Sequence, residues 1–181
     1  MNQNHFLFLI GFVDQLVVDA DTVTFCLSKG LSCPVGSIVC GSSDFIATAH
    51  RIRRMLGGGM RQAGIIASAG MYSLDNMLDQ IGEDHKNAKR LAEGINEIEG
   101  LSIDRENIKS NILYFDIEKG AKRCEELARQ TKNITVYPFQ IALDNIRFFE
   151  SRPGRFRLVT HYGITGDDIE KTLGVLDKIV N

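Results

Sequence analysis

The sequence Thr24-Phe-Cys-Leu-Ser-Lys-Gly-Leu-Ser-Cys-Pro-Val-Gly-Ser37 is the most informative part of this chain. The apolar run Val23–Leu27 predicts a short buried strand, and Gly36–Cys40 predicts a second one. Lys29 follows the first strand and precedes a glycine turn, so it can lie in a partly dry site that disfavours the charged ammonium. A neutral amine is what Schiff-base formation with a carbonyl requires. The alternative is a solvated lysine in a tight turn.

A second informative stretch is Gly57-Gly-Gly-Met-Arg-Gln62. Three glycines allow positive φ and a close approach of the backbone, so they can form an anion-binding nest before the next helix, with Arg61 adding positive charge. The alternative is a hinge between two helices or close packing against a neighbour. We interpret the basic residues that precede the glycines as a solvated face or a subunit contact. These residues are His50, Arg51, Arg53 and Arg54.

The third stretch is Phe156-Arg-Leu-Val-Thr-His161. Strand alternation places Arg157 on the face opposite Phe156, and a strand-borne arginine can form a bidentate pair with a carboxylate. The alternatives are a surface arginine on an edge strand, or Arg155 in this role if the register differs. We interpret His161 as a structural group or as support for the site, and not as a base.

Together these three stretches resemble the threonine aldolases, lyases of the aspartate-aminotransferase-like fold that use pyridoxal phosphate (PLP). The resemblance runs from about Gly11 to Asn181 and includes one small departure, because Ser32-Cys33 stands where the family commonly has Gly-Ala. It implies that Lys29 carries PLP as a Schiff base. It also implies that Arg61 lies near the cofactor phosphate at a subunit contact, and that Arg157 binds the amino-acid carboxylate.

The resemblance implies retro-aldol cleavage of L-threonine or L-allo-threonine to glycine and acetaldehyde. It covers only the C-terminal half of such an enzyme, because the family builds much of its large domain from chain before the lysine and only residues 1–28 precede Lys29 here. The phosphate-binding turn, the group that stacks on the cofactor ring and the aspartate at the ring nitrogen are not located. The alternative is therefore a catalytically inactive fragment or paralogue that acts as a subunit-interaction module, and a third possibility is another PLP lyase.

The predicted fold class is α/β, with a partial PLP-transferase-type large domain of parallel sheet and helices, followed by a small α+β lobe. We divide the chain into residues 1–83, which carry the lysine, and 84–181. Apolar spacing and caps predict several further elements. These are helices at Phe45–Leu56, Met60–Ile81, from Asp84, at Ala121–Gln130 and after Thr165, and strands at Asn111–Ile117, Ile134–Tyr137 and Ile146–Phe149.

Composition restricts the remaining possibilities. A net charge of -2 without long runs indicates neither a nucleic-acid surface nor a membrane surface. The apolar run His5–Val13 is too short to span a bilayer, and we expect it to form a buried strand or helix. Four cysteines without C-x-x-C spacing and four scattered histidines favour reduced thiols in a cytoplasmic protein without a metal site. The expected partners are a small β-hydroxy amino acid and further copies of the chain, as a dimer or tetramer.

Overall fold

A computed structural model describes residue 15 and residues 17–117, 140–143, 146–152 and 154–180. The chain divides into two compact units, Met1–Gly82 (unit 1) and Glu83–Asn181 (unit 2). In chain order the described elements are β1 Val23–Cys26, β2 Ser37–Cys40, α1 Ser43–Met55, α2 Gly64–Asn76, α3 Leu78–Glu97, β3 Leu101–Ile103, a 3-10 turn Arg105–Asn107, β4 Ile112–Ile117, β5 Gln140–Leu143, β6 Ile146–Arg152, β7 Arg155–Val159 and α4 Gly166–Val180.

In unit 1, β1 and β2 form an antiparallel ribbon in which Val23 lies opposite Cys40 and Cys26 lies opposite Ser37. The two predicted strands are therefore present. The prediction that the first one is buried is wrong, because its residues alternate between half-buried and exposed and only Leu27, which follows it, is buried. One face of the ribbon packs inward, and the other faces solvent.

Helix α1 confirms the helix predicted over Phe45–Leu56. The Ser42 hydroxyl accepts a hydrogen bond from the Phe45 N–H at 3.3 Å, as an N-cap should. At the other end Gly57 has a φ of +82°. The Gly57 and Gly58 N–H groups donate to the carbonyls of Arg54 and Arg53 at 3.1 and 2.8 Å, which is the Schellman pattern of a helix C-terminus.

The predicted helix boundary at Gly82 is wrong, and so is the predicted cap at Asp84. Helix α2 ends at Asn76, and α3 continues through both positions from Leu78 to Glu97. A glycine inside a helix costs only about 1 kcal/mol relative to alanine, which burial of the surrounding residues can offset. Asp84 is 1% exposed, and its carbonyl accepts a hydrogen bond from the Thr160 hydroxyl at 2.6 Å.

In unit 2 the described strands form an antiparallel sheet in the order β3-β4-β7-β6-β5. The predicted strands at Asn111–Ile117 and Ile146–Phe149 are confirmed as β4 and β6, and β6 is longer than predicted. Phe115 lies at the centre of the core, with its ring stacked on Phe156 at 5.4 Å and edge-on to Phe148 at 6.5 Å.

The apolar faces of α3 and α4 cover one side of this sheet. The core formed there contains Ala88, Leu91, Ala92 and Ile95 from α3, Leu113, Phe115, Phe148 and Phe156 from the sheet, and Ile169, Val175 and Leu176 from α4. Helix α4 begins with the predicted cap, because Asp168 accepts hydrogen bonds from the Thr165 N–H and hydroxyl at 2.9 and 2.7 Å. These bonds hold the pKa of Asp168 below its usual value.

The mixed helix-and-sheet class is confirmed, but the predicted parallel pairing is wrong for the strands that the structure describes, all of which pair antiparallel. Parallel neighbours need a crossover of a dozen or more residues, and the loop 27–36 between β1 and β2 is too short for one. The predictions for His5–Val13, Ala121–Gln130 and Ile134–Tyr137 lie outside the described residues. None of the described helices combines the length and apolar character needed to cross a bilayer.

Candidate active site

Lys29 lies in the loop 27–36 between β1 and β2, and backbone hydrogen bonds close this loop on itself. The Leu27 N–H donates to the Gly36 carbonyl at 2.9 Å, and the Cys33 N–H returns to the Leu27 carbonyl at 3.0 Å. Lys29 itself begins a tight turn, since its carbonyl accepts from the Ser32 N–H at 2.8 Å. The lysine therefore projects from a fixed backbone.

Two side-chain contacts attach the same loop to α2. The Ser73 hydroxyl donates to the Leu31 carbonyl, and the Cys33 thiol donates to the Ala69 carbonyl at 3.4 Å. Leu31 and Cys33 are buried together with Leu27 in a small core. Neither anchor was predicted from the sequence.

Ser32 has a φ of +57°, so the left-handed residue in this turn is Ser32 and not the glycine that follows the lysine. A left-handed conformation costs a residue with a Cβ about 1–2 kcal/mol, and glycine avoids most of this cost. The departure at this position, where the aldolase pattern has glycine, therefore introduces local strain but keeps the turn.

The predicted dry site is not formed by the residues that the structure describes around Lys29, because the lysine side chain is exposed. A small polar cluster lies on the exposed face of the ribbon, where the Cys26 sulfur is 3.4 Å from the Ser37 hydroxyl and 3.9 Å from the Ser28 hydroxyl. The bond to Ser37, then that to Ser28, and the charge of Lys29 lower the pKa of the Cys26 thiol from its usual value. This cluster could have been predicted from an antiparallel pairing of the two strands in which Cys26 lies opposite Ser37.

The glycine stretch has a structural role that the structure makes explicit. Because the Gly57 and Gly58 N–H groups donate to carbonyls of α1, those two amides are engaged in ending the helix. This favours the hinge interpretation for the first two glycines over an anion nest. Arg61 is exposed in the turn that leads into α2, the helix to which the Lys29 loop is attached.

The two candidate carboxylate-binding arginines lie in different environments on β7. Arg155 is 3.7 Å from the Asp116 carboxylate, and its guanidinium stands 5.5 Å from the centre of the Tyr114 ring. Arg157 is exposed, and it lies opposite Tyr114 in the strand register. Phe156, next to it, is buried, as the predicted alternation requires. Arg155 thus contacts other side chains of the sheet, whereas the side chain of Arg157 is exposed to solvent.

A partly buried pair of hydrogen bonds, here called the Asn111–Thr160 clamp, fixes the end of β7 beyond Arg157. The Asn111 side-chain amide donates to the Thr160 carbonyl at 2.7 Å, and the Thr160 N–H donates to the Asn111 carbonyl at 3.0 Å. The ring Nδ1 of His161 hydrogen-bonds to the Tyr162 carbonyl at 2.8 Å. The clamp gives Arg157 a rigid support, and it was not apparent from the sequence.

The structure therefore places Lys29 and Arg61 in unit 1, on segments that both connect to α2, and Arg157 in unit 2. An exposed amine on a fixed loop can react with an aldehyde, and an exposed guanidinium on a fixed strand can bind a carboxylate. Among the described residues no cluster of histidine, cysteine or acidic side chains is arranged to hold a metal ion.

Comparison with solved structures defines the fold class. The chain resembles a Listeria monocytogenes protein assigned as an L-allo-threonine aldolase, with a TM-score of 0.68 and 19% identity over 92% of this chain and 46% of that one. It also resembles a protein designated SPT, whose structure contains PLP. The TM-score is 0.58, and the identity is 18% over 93% of this chain and 42% of that one. These neighbours are PLP-dependent enzymes of fold type I, and the chain shares the fold of the part of them that it covers.

The beta-eliminating lyase family model matches residues 10–118, and the chain belongs to this family. It is 38% identical over 166 residues to low-specificity L-threonine aldolase 1 of Arabidopsis thaliana. The matched region covers 92% of this chain and 44% of that protein. The chain thus spans less than half the length of the curated relatives it matches. The predicted resemblance to threonine aldolases is confirmed.

Membership of the beta-eliminating lyase family supports pyridoxal phosphate as the cofactor. The residues present fit such a group in two respects. The Lys29 amine is open to solvent, and the loop behind it is held by its own backbone bonds and by Ser73 and Cys33. A cofactor aldehyde could therefore reach the amine without rearrangement of the strand pair.

Proposed function

We propose that this chain supplies the lysine-bearing and carboxylate-binding parts of a PLP-dependent aldolase that cleaves L-threonine or L-allo-threonine to glycine and acetaldehyde. The observation that carries the proposal is the placement of Lys29 on a rigid, open loop. Similarity to threonine aldolases over 92% of the chain supports it. Unit 1 would carry the cofactor, and unit 2 would act as the small domain predicted at residues 84–181.

When bound, PLP supplies an electron sink for the electrons released as the Cα–Cβ bond of the substrate breaks. Lys29 would hold the cofactor covalently through its Nζ until the substrate amine replaces it. Arg61 would place positive charge toward the cofactor phosphate. Arg157 would grip the substrate carboxylate with two parallel N–H bonds and so fix the orientation of the amino acid.

The proposed substrate class is a small β-hydroxy amino acid, and the proposed assembly is a homo-oligomer, either a dimer or a tetramer. The exposed position of Arg61 beside α2 is compatible with the subunit contact that the aldolase resemblance implies. The base that removes the β-hydroxyl proton is not assigned to any residue of this chain.

The direct test is to incubate the purified chain with PLP and either L-threonine or L-allo-threonine and to measure acetaldehyde. We expect aldehyde formation that requires PLP and that Lys29→Ala abolishes, because the variant cannot hold the cofactor. The variant also reports the background reaction of free PLP. Equal rates for the chain and the variant would count against the proposal.

One observation favours the second candidate, an inactive fragment or paralogue that acts as a subunit-interaction module. The described part of unit 1 leaves much of its apolar surface exposed. Oligomerisation without cofactor, combined with no lysine-dependent aldehyde formation, would support this candidate.

A further inference from the structure

We propose that Arg155 forms a second carboxylate-binding position beside Arg157, and that this position favours β-hydroxy amino acids whose side chain ends in a carboxylate. The simplest such compound is 3-hydroxyaspartate, which is threonine with its methyl group replaced by a carboxylate. The inference rests on the proposed function, because it takes Arg157 as the group that binds the α-carboxylate. It specifies the substrate class further and uses residues of unit 2 alone.

Arg155 and Arg157 lie two positions apart on β7, so both side chains leave the same face of the sheet. This face is opposite the core, since the intervening Phe156 is buried and stacks on Phe115. Two residues along a strand cover about 6.6 Å, which is less than the length of an arginine side chain. The two guanidinium groups can therefore contact one small molecule together.

The ring of Tyr114 brings the Arg155 guanidinium closer to Arg157. Tyr114 lies directly opposite Arg157 in the pairing of β4 with β7. The guanidinium carbon of Arg155 is 5.5 Å from the centre of that ring, so this side chain leans from its own position toward the level of Arg157. A guanidinium on an aromatic face keeps the N–H groups along its edge available for hydrogen bonds.

The present neighbours of Arg155 hold its guanidinium without satisfying it. A carboxylate oxygen of Asp116 is 3.7 Å from the Arg155 Nε, which is too far for a hydrogen bond. This Nε is buried, and within the part of the chain that the structure describes it has no hydrogen-bond partner. The side chain as a whole is 32% exposed, so a ligand can reach it. Buried polar groups without partners are rare in proteins, and a bound carboxylate would complete the pairing of this arginine.

The charges on this face also favour an anion. Arg152 is exposed and lies opposite Arg155 in the pairing of β6 with β7. The described side chains on this face of β4, β6 and β7 thus include three arginines, and Asp116 is the acid that faces them. Glu150 lies opposite the buried Phe156, on the other face of the sheet. An excess of positive charge on one surface attracts small anions.

The chemistry of 3-hydroxyaspartate fits two neighbouring guanidinium groups. Its two carboxylates are attached to adjacent carbon atoms, and each can accept two parallel N–H bonds from one arginine. With the α-carboxylate on Arg157, the second carboxylate lies toward Arg155. Cleavage of the Cα–Cβ bond would release glycine and glyoxylate, because the β-hydroxyl loses its proton as the C=O bond forms and Cα gains a proton. Threonine offers only a methyl group at this position, so it gains nothing from Arg155.

The test compares L-3-hydroxyaspartate with L-threonine on the full 181-residue chain without PLP, so that no catalytic step enters. Binding is followed by NMR at low ionic strength, from the shifts of the arginine Nε–H signals. We expect 3-hydroxyaspartate to bind about tenfold more tightly than threonine, because it gains hydrogen bonds between charged groups. It should shift the signals of both Arg155 and Arg157, whereas threonine should shift mainly that of Arg157.

Arg155→Gln should remove this preference, because the variant loses the charge, and Arg155→Lys should keep part of it as a point charge without the fork. Tyr114→Leu should reduce the preference by about threefold, since it keeps an apolar side chain but loses the ring that holds the guanidinium. The matched control is Arg90→Gln, which removes the same charge from α3, where Arg90 pairs with Glu170 at 2.8 Å. This control should keep the full preference.

Three results would overturn the inference. In the first, 3-hydroxyaspartate does not bind or binds no more tightly than threonine. In the second, the preference survives in Arg155→Gln. In the third, acetate shifts the Arg155 signal as strongly as the dicarboxylate does, so the position binds any separate anion. A preference without PLP-dependent aldehyde formation would uphold this inference while contradicting the catalytic proposal, and cleavage of threonine without the preference would do the reverse.

Discussion

Substitution of Arg157 by alanine should weaken the binding of L-threonine to the PLP-loaded chain by between about tenfold and about a hundredfold. Hydrogen bonds to a charged partner contribute about 1.5–3 kcal/mol, and each 1.4 kcal/mol corresponds to about a factor of ten in affinity. Arg157→Lys should give an intermediate loss, because it keeps the charge but not the fork. The measurement is the threonine concentration that half-saturates the change in cofactor absorbance.

The adjacent arginine provides the matched control. Arg155 lies on the same strand and carries the same charge, but it is placed against Asp116 and Tyr114. Arg155→Ala should therefore change the affinity for threonine by less than about threefold, while its effect on stability remains small, as for other partly exposed ion pairs. A large loss of affinity in Arg155→Ala with little change in Arg157→Ala would reverse the two assignments.

Phe115→Ala should give the largest loss of stability. Phe115 is fully buried, and its ring contacts Phe156 and Phe148 at the centre of the unit 2 core. Truncation of a buried phenylalanine to alanine costs about 3–5 kcal/mol, from lost burial and the cavity that remains. Domains are stable by only about 5–15 kcal/mol, so this is a large fraction of the total.

The measurement is the midpoint of urea unfolding followed by circular dichroism. With a denaturant dependence of about 1–3 kcal/mol/M, the midpoint should fall by about 2 M. Tyr114→Ala is the control, because Tyr114 is the neighbouring residue on the exposed face of β4 and loses mainly its contact with Arg155. Equal midpoints for the two variants would contradict the placement of the core.

Much of the fold could be predicted from local patterns. Helix α1 has a serine cap at its start and a glycine at its end, and both signals act within one turn of the helix. The alternation in β7 correctly placed Phe156 and Arg157 on opposite faces of the strand, and in the structure Phe156 is buried and Arg157 is exposed. Such patterns suffice where adjacent residues determine the conformation.

Other features depend on distant contacts, and there the predictions were wrong. Gly82 and Asp84 are local signals for a helix boundary, but packing of α3 overrides them, and the Asp84 carbonyl accepts from Thr160. Strand direction in the ribbon is set by the short loop 27–36 and not by the composition of the strands. Propensity is a weak guide where tertiary packing decides.

The candidate site shows the same division. Lys29, Arg61 and Arg157 are identified by motifs, and their roles remain predictions. The Lys29 loop is held to α2 through Ser73 and Cys33, and the strand of Arg157 is held by the Asn111–Thr160 clamp. These contacts join residues that are far apart in the sequence, so no local pattern predicts them. The exposure of Lys29 matches the alternative of a solvated lysine in a tight turn, and spacing alone could not decide between this and a dry site, because burial of a loop depends on everything that packs around it.

The most direct test of Lys29 as the cofactor-binding residue is titration of the purified chain with PLP, followed by borohydride reduction and peptide mapping. We predict a saturable absorbance band and a single stable label on Lys29, and we expect both to be lost in Lys29→Ala. Label scattered over exposed lysines such as Lys86 and Lys109, with no saturation and no effect of Lys29→Ala, would contradict the assignment.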